Sequence, residues 1–174
     1  VLSAYGIIKK VADNVREDAI IVTDVGQHQM RTAQFYPLKQ PRGWLTSGGL
    51  GTMGFGLPTA IGAALAHPER TVVCFSGDGS LLMNIQEMAT AADQGVNVKI
   101  ILTNNNGLGL IHQMQDLLFE GRLFAWDYTH RTDFIRIAEG FGLFAVDLAL
   151  SADPEADLRA ALARPGPALI HVPL

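Results

Sequence analysis

The stretch TVVCFSGDGSLLMN, residues 71–84, decides how this chain is read. An apolar run that ends in a glycine turn and passes into an amphipathic segment reads as strand, tight turn and helix. Such a turn is a usual seat for a phosphate, because its backbone N–H groups and the helix start both attract negative charge. Here the turn carries Asp78 at its centre and no lysine or arginine near it. A carboxylate facing a phosphate is repelled, and a divalent cation lying between them removes the conflict. Mg2+ suits that place, since it takes oxygen ligands at about 2.0–2.1 Å and commonly binds through one or two protein groups plus phosphate oxygens.

Further runs of branched residues stand at 19–24, 98–103, 143–148 and 168–174. Between them lie helical patterns. Leu81, Ile85, Met88 and Ala92 mark one face of a helix over 80–93, and Leu57, Ile61 and Leu65 mark another over 57–66. Asp153 followed by Pro154 reads as an N-cap and first-turn proline before a helix that RPGP, residues 164–167, ends. Strands spaced by helices require right-handed crossovers and parallel pairing. The expected fold is therefore α/β, a doubly wound, mostly parallel sheet of about six strands with helices on both faces. Residues 1–174 are read as a single domain.

In a parallel sheet all strands end on one edge, and ligands bind there. The first strand ends in DVGQHQ (24–29), the second in GDGS (77–80), the third in NNNGLG (104–109). All three endings are glycine or small polar clusters. Asp78 and Asn105 stand 27 positions apart, the span of one turn, one helix and one strand. A crossover thus sets Asn105 beside Asp78 as a neutral oxygen donor for the same cation. The plainer alternative makes GDG only a turn and NNN only a loop cluster.

A net charge of −4 without a basic run excludes a nucleic-acid surface, and no apolar stretch approaches the length of a membrane span. The start, VLSAYGIIKKVADN (1–14), reads as an amphipathic helix rather than a signal peptide. Cys74, the only cysteine, reads as a buried inert thiol, which fits a cytoplasmic setting. Residues 115–134 are aromatic and weakly periodic, as a lid, an interface or ordinary packing would be. His67 reads as a solvent-facing helix end and His171 as a packing or hydrogen-bonding strand residue, whereas His28 falls on the active edge. Trp44 and Trp126 read as packing or interface residues.

GDGS, 24 residues and then NN resembles the thiamine-diphosphate-binding motif. The likeness extends through DVGQHQMRTAQFYP, WLTSGGLGTMGFGLPTAIGAALA, CFSGDGSLLMNIQEMATA and RPGPALIHV, nearly the whole chain. These resemble the C-terminal domain of the acetohydroxyacid synthase (acetolactate synthase) large subunits. The resemblance implies that Asp78 and Asn105 ligate Mg2+ by side chain and Gly107 by its backbone oxygen. It implies that Gly77, Gly79 and Ser80 cradle the diphosphate, with Gly26, Gln27 and His28 contacting it from the first strand end. Gly109, Leu110 and Ile111 would line it from the third. Gly51 and Met53 match the segment that supports the cofactor, with Met53 the wedge that holds it bent. Many relatives carry tryptophan at the position of Met114, where a bulky ring favours 2-ketobutyrate as second substrate; methionine is smaller and more flexible.

The activity implied is decarboxylation of pyruvate and its condensation with a second 2-keto acid, in branched-chain amino acid biosynthesis. In this family the glutamate that activates the cofactor lies on a separate N-terminal domain of the other subunit of a dimer, and a middle domain binds FAD. No catalytic residue is therefore expected within these residues, which read as one domain of a three-domain enzyme, inactive alone. A homodimer and a small regulatory subunit are the implied partners. Pyruvate oxidase, glyoxylate carboligase and benzoylformate decarboxylase share the core motif. A nicotinamide dinucleotide domain is the rival of another class: GLGTMG (49–54) fits G-x-G-x-x-G, but only WLTS precedes it, a poor buried strand, and the asparagines would have no task. Walker, G-x-S-x-G and H-E-x-x-H motifs are missing.

Overall fold

Among the described residues, apolar segments pair in register to give six strands: β1 (Ile20–Thr23), β2 (Trp44–Thr46), β3 (Val72–Gly77), β4 (Val98–Asn104), β5 (Phe144–Asp147) and β6 (Ala168–Pro173). They form one sheet in the order β2-β1-β3-β4-β6-β5, and every pairing is parallel. The computed structural model describes residues 3–174; Val1 and Leu2, the start of the expected first helix, lie outside the described residues.

Among the described residues eight helices occur, the first before β1 and the others between strands: α1 (Ala4–Asn14), α2 (Gln27–Phe35), α3 (Gly56–Ala66), α4 (Asp78–Leu82), α5 (Glu87–Asp93), α6 (Gly109–Leu118), α7 (Phe134–Gly140) and α8 (Pro154–Ala163). Strand side chains alternate between faces. Ile20, Val22, Val72, Cys74, Ile100 and Leu102 pack under α3, α5 and α7. Ile21, Val73, Phe75, Ile101 and Ile170 pack under α1 and α8 on the opposite face. Both faces of the central strands are dry, as their unbroken apolar runs require. Cys74 is buried there, and burial raises its thiol well above the ordinary range. Ser3 and Asp153 cap α1 and α8, each accepting a backbone N–H with its side chain at 3.0 Å.

Three expectations change. WLT, dismissed as a strand, is β2: it pairs with β1, and Thr46 Oγ1 accepts from Thr23 Oγ1 at 2.7 Å and from Gln29 Nε2 at 2.8 Å. The single helix over 80–93 is two, since the chain turns at residues 83–86 and Asn84 Nδ2 donates to the Gly54 carbonyl across the fold. Leu65 is 53% exposed, and the buried stripe of α3 is Leu57, Ala60, Ile61 and Ala64.

The chain runs from β1 outward to β2, then crosses back to place β3 on the other side of β1. The connections leaving β1 and β3 therefore part company above the sheet and open a crevice at the carboxyl ends of the strands.

Candidate cofactor and metal site

A cavity of about 400 Å3 fills that crevice, a size typical of small-molecule sites. Three strand ends build it. Gly26, Gln27 and His28 enter from the end of β1, and Gly77, Asp78, Gly79 and Ser80 from the end of β3. Asn105, Gly107, Gly109, Leu110 and Ile111 enter from the end of β4. Gly51 and Met53 reach in from the segment after β2. Met114 does not line the cavity; it sits on α6, 44% exposed.

Asp78 is the electrostatic centre. It follows β3 at the first residue of α4 and is 3% exposed. Pairing of Gly77 with Thr103 sets the two strand ends side by side, so Asp78 and Asn105 open onto one cavity. The Gly79 N–H donates to Asp78 Oδ1 at 2.8 Å, and the Gly107 N–H donates to Oδ2 at 2.9 Å. Burial pushes the Asp78 carboxyl up, and these N–H bonds only partly offset it. Among the described residues no cationic side chain pairs with it. A buried carboxylate without a counter-charge is held at a free-energy cost that a bound cation removes.

The remaining donors suit a hard cation. No hydrogen bond among the described residues ends on the Gly107 carbonyl or on the Asn105 side chain. No group of three or more His, Cys, Asp and Glu gathers anywhere among the described residues. One carboxylate, one amide and one peptide carbonyl leave room for phosphate oxygens and water, the pattern Mg2+ favours. The residues present therefore fit a metal-bridged diphosphate.

His28 adds a second signal. Its Nε2 is buried without a partner, while the ring touches the backbone of Gly26 and Gly77 so closely that a Cβ at either glycine would lie 2.7 and 3.0 Å from it. Burial lowers its pKa to about 4, so the ring is neutral at pH 7. Its folded pKa lies below the ordinary 6.5, hence the folded chain binds fewer protons between those values. Stability should fall as pH drops from 6.5 to 4, by roughly 3 kcal/mol at most. Urea titrations of the cofactor-free chain at the two ends of that window should show the fall, and His28→Gln should remove most of it.

Several further contacts hold the site, among them those of Asp24, to which the sequence reading assigns no role. Asp24, 1% exposed, accepts N–H bonds from Val25 (2.8 Å), Gly54 (2.9 Å) and Gly56 (3.1 Å), pinning the Gly51–Gly54 turn to the end of β1. A Cβ on Gly56 would lie 2.8 Å from Asp24 Oδ2, so that close approach requires glycine. Ser80 Oγ donates to the Val25 carbonyl at 2.6 Å and ties the ends of β1 and β3 together. Gln27 Nε2 donates to Gln113 Oε1 at 2.9 Å and links the first to α6. Trp126 packs on His112 with ring centroids 4.4 Å apart. His67 caps the exposed end of α3 beside Glu69, and His171 Nε2 lies 3.0 Å from Asn104 Nδ2. Trp44 packs against the core beneath α1.

A switch-point cavity holding a carboxylate, an amide and open peptide groups defines a diphosphate-binding domain of the thiamine class. The chain belongs to the family described as thiamine pyrophosphate enzyme, C-terminal TPP binding domain, which matches residues 24–172. It is 64% identical over 171 residues to the acetolactate synthase isozyme 1 large subunit of Escherichia coli (strain K12), covering 98% of this chain and 30% of that protein. It is 44% identical to the acetolactate synthase large subunit of Haemophilus influenzae, covering 92% of this chain and 28% of that protein. It is 43% identical to the acetolactate synthase isozyme 2 large subunit of Escherichia coli, covering 95% and 30%. The chain thus spans about 30% of the length of these relatives. Membership of the thiamine family removes the nicotinamide reading of GLGTMG, which here turns from β2 into α3. No described helix is long and apolar enough to cross a membrane.

Proposed function

We propose that this domain holds the diphosphate of thiamine diphosphate through one Mg2+ ion bound by Asp78, Asn105 and the Gly107 carbonyl. It does so within a longer cytoplasmic enzyme that decarboxylates pyruvate and joins the product to a second 2-keto acid, giving acetolactate or acetohydroxybutyrate. The observation that carries this reading is the buried Asp78 carboxylate, without a side-chain cation, on a cavity shared with Asn105 and Gly107. When bound, thiamine diphosphate supplies the electron sink for decarboxylation. The chain's own residues bind and orient. Gly26, Gln27, His28, Gly77, Gly79 and Ser80 surround the diphosphate; Gly109, Leu110 and Ile111 close the opposite wall; Met53 on its pinned turn supports the bent cofactor; and Gly51, at φ 69°, lets that turn bend. The family resemblance supports a role for Met114, exposed on α6 outside the cavity lining, in setting the size of the second substrate.

The acetolactate branch is favoured over other thiamine enzymes because the relatives above carry that name. Their shared designation as large subunits supports a smaller regulatory companion, and the family resemblance supports FAD on a middle domain. Leu117, Leu118 and Phe124, 70%, 71% and 80% exposed, support an interface over 115–134 in a homodimer. Sedimentation equilibrium of the full chain should give twice the chain mass; a monomer at high concentration rejects the dimer.

Thermal unfolding tests the cofactor. Mg2+ with thiamine diphosphate should raise the midpoint, whereas NAD should leave it unmoved. Stabilisation by NAD without metal overturns the reading.

A further inference from the structure

Beyond α6 the chain doubles back and lays a short strap over the loop that follows β4. The Leu108 N–H donates to the Trp126 carbonyl at 2.6 Å, and the Tyr128 N–H donates to the Asn106 carbonyl at 3.0 Å. Gly107 and Asp127 thus form an isolated antiparallel bridge. In such a pair the peptide groups of the middle residue point away from the partner strand, because its neighbours' groups take both bonds. The Gly107 N–H bears this out by donating to Asp78 Oδ2 at 2.9 Å. Its carbonyl shares that edge.

We propose that Trp126–Tyr128 is a positioning strap for the metal loop, its two backbone hydrogen bonds to Asn106 and Leu108 aiming the Gly107 carbonyl at the cation site beside Asp78. Gly107 is required by the strap itself, since a Cβ there would lie 2.7 Å from the Trp126 carbonyl oxygen, a backbone atom with no freedom to yield. Two side chains clamp the strap. Asn106, in the left-handed region at φ 56°, donates from Nδ2 to the Tyr128 carbonyl at 2.9 Å. Gln115 on α6 makes a paired contact with Phe124, donating from Nε2 to its carbonyl and accepting its N–H at Oε1, both at 2.9 Å. None of these four residues supplies a metal ligand. They act through Gly107, as partners outside a coordination shell do when they orient the ligands within it.

The inference rests on the metal reading above, and the experiment separates the two. Mg2+ and Ca2+ affinities are measured by calorimetry on the full chain saturated with thiamine diphosphate. Mg2+ demands near-ideal octahedral geometry, while Ca2+ tolerates irregular shells. Gln115→Ala and Asn106→Gly, the latter keeping the left-handed backbone accessible, should each weaken Mg2+ binding about tenfold and Ca2+ binding by less than about threefold. Phe124→Leu, at a side chain 80% exposed, keeps both backbone bonds to Gln115 and should change neither. Equal losses for both metals mean general loosening and overturn the strap, as does an unchanged Mg2+ affinity or a loss reproduced by Phe124→Leu. Failure of the unmodified chain to bind Mg2+ with thiamine diphosphate overturns the metal reading and the strap together.

Discussion

Asp78→Asn abolishes the Mg2+-dependent part of the stabilisation that thiamine diphosphate confers. At cofactor and metal concentrations 100 times the apparent Kd, the unmodified chain gains about 2.7 kcal/mol, which for a domain of this size raises the midpoint by roughly 5–10 °C. The asparagine keeps a side-chain oxygen for one of the two N–H groups now donated by Gly79 and Gly107, and it removes the charge that burial disfavours. The cofactor-free protein should therefore unfold within a few degrees of its parent. Only the response to metal disappears, because an amide is a much weaker magnesium ligand than a carboxylate. Acid should mimic the substitution. Burial raises the Asp78 carboxyl above the ordinary range, so the proton competes with the metal progressively as pH falls toward that raised value. A variant that still responds to Mg2+ with the parent's affinity would remove Asp78 from the coordination shell.

The sheet and its active edge were legible because both follow from local patterns. Unbroken apolar runs identify β1, β3, β4 and β6 as strands buried on two faces, and parallel pairing then sends every strand ending to one edge. Asp78 and Asn105 could be placed together from their spacing alone, since register follows from the crossover. What escaped notice depends on partners far along the chain. β2 is three half-buried residues whose strand character comes from pairing with β1 and from the Thr23 and Gln29 bonds to Thr46. The break between α4 and α5 interrupts a good helical period, and it accompanies a bond from Asn84 to Gly54 that no periodicity encodes. The strap over Gly107 lies in a segment without periodicity, and backbone atoms make its pairing, so side-chain identity announces nothing.

Asp24 is the sharpest case, for an acid at a strand end on the ligand edge suggests chemistry, yet its oxygens face protein. Val25 and Gly54 donate to Oδ1, and Gly56 donates to Oδ2, which Ser76 Oγ also approaches at 3.5 Å. Burial raises this carboxyl more than the N–H bonds lower it, and its contacts organise the turn that follows β2. Asp24→Ala leaves three N–H groups, two of them buried, without acceptors. Bonds to an ionised acceptor contribute about 1.5–3 kcal/mol each; relief of the carboxylate's burial offsets part of their loss, leaving a destabilisation of about 4 kcal/mol. Asp24→Asn can keep both bonds to Oδ1 and loses only that of Gly56, so it should cost about 1–2 kcal/mol. Urea unfolding of the cofactor-free chain measures the two directly. The alanine variant should also bind thiamine diphosphate more weakly than its stability loss alone explains, because the turn carrying Met53 is no longer pinned. Equal costs for the two substitutions would mean that the charge, not the three N–H bonds, holds Asp24 in place.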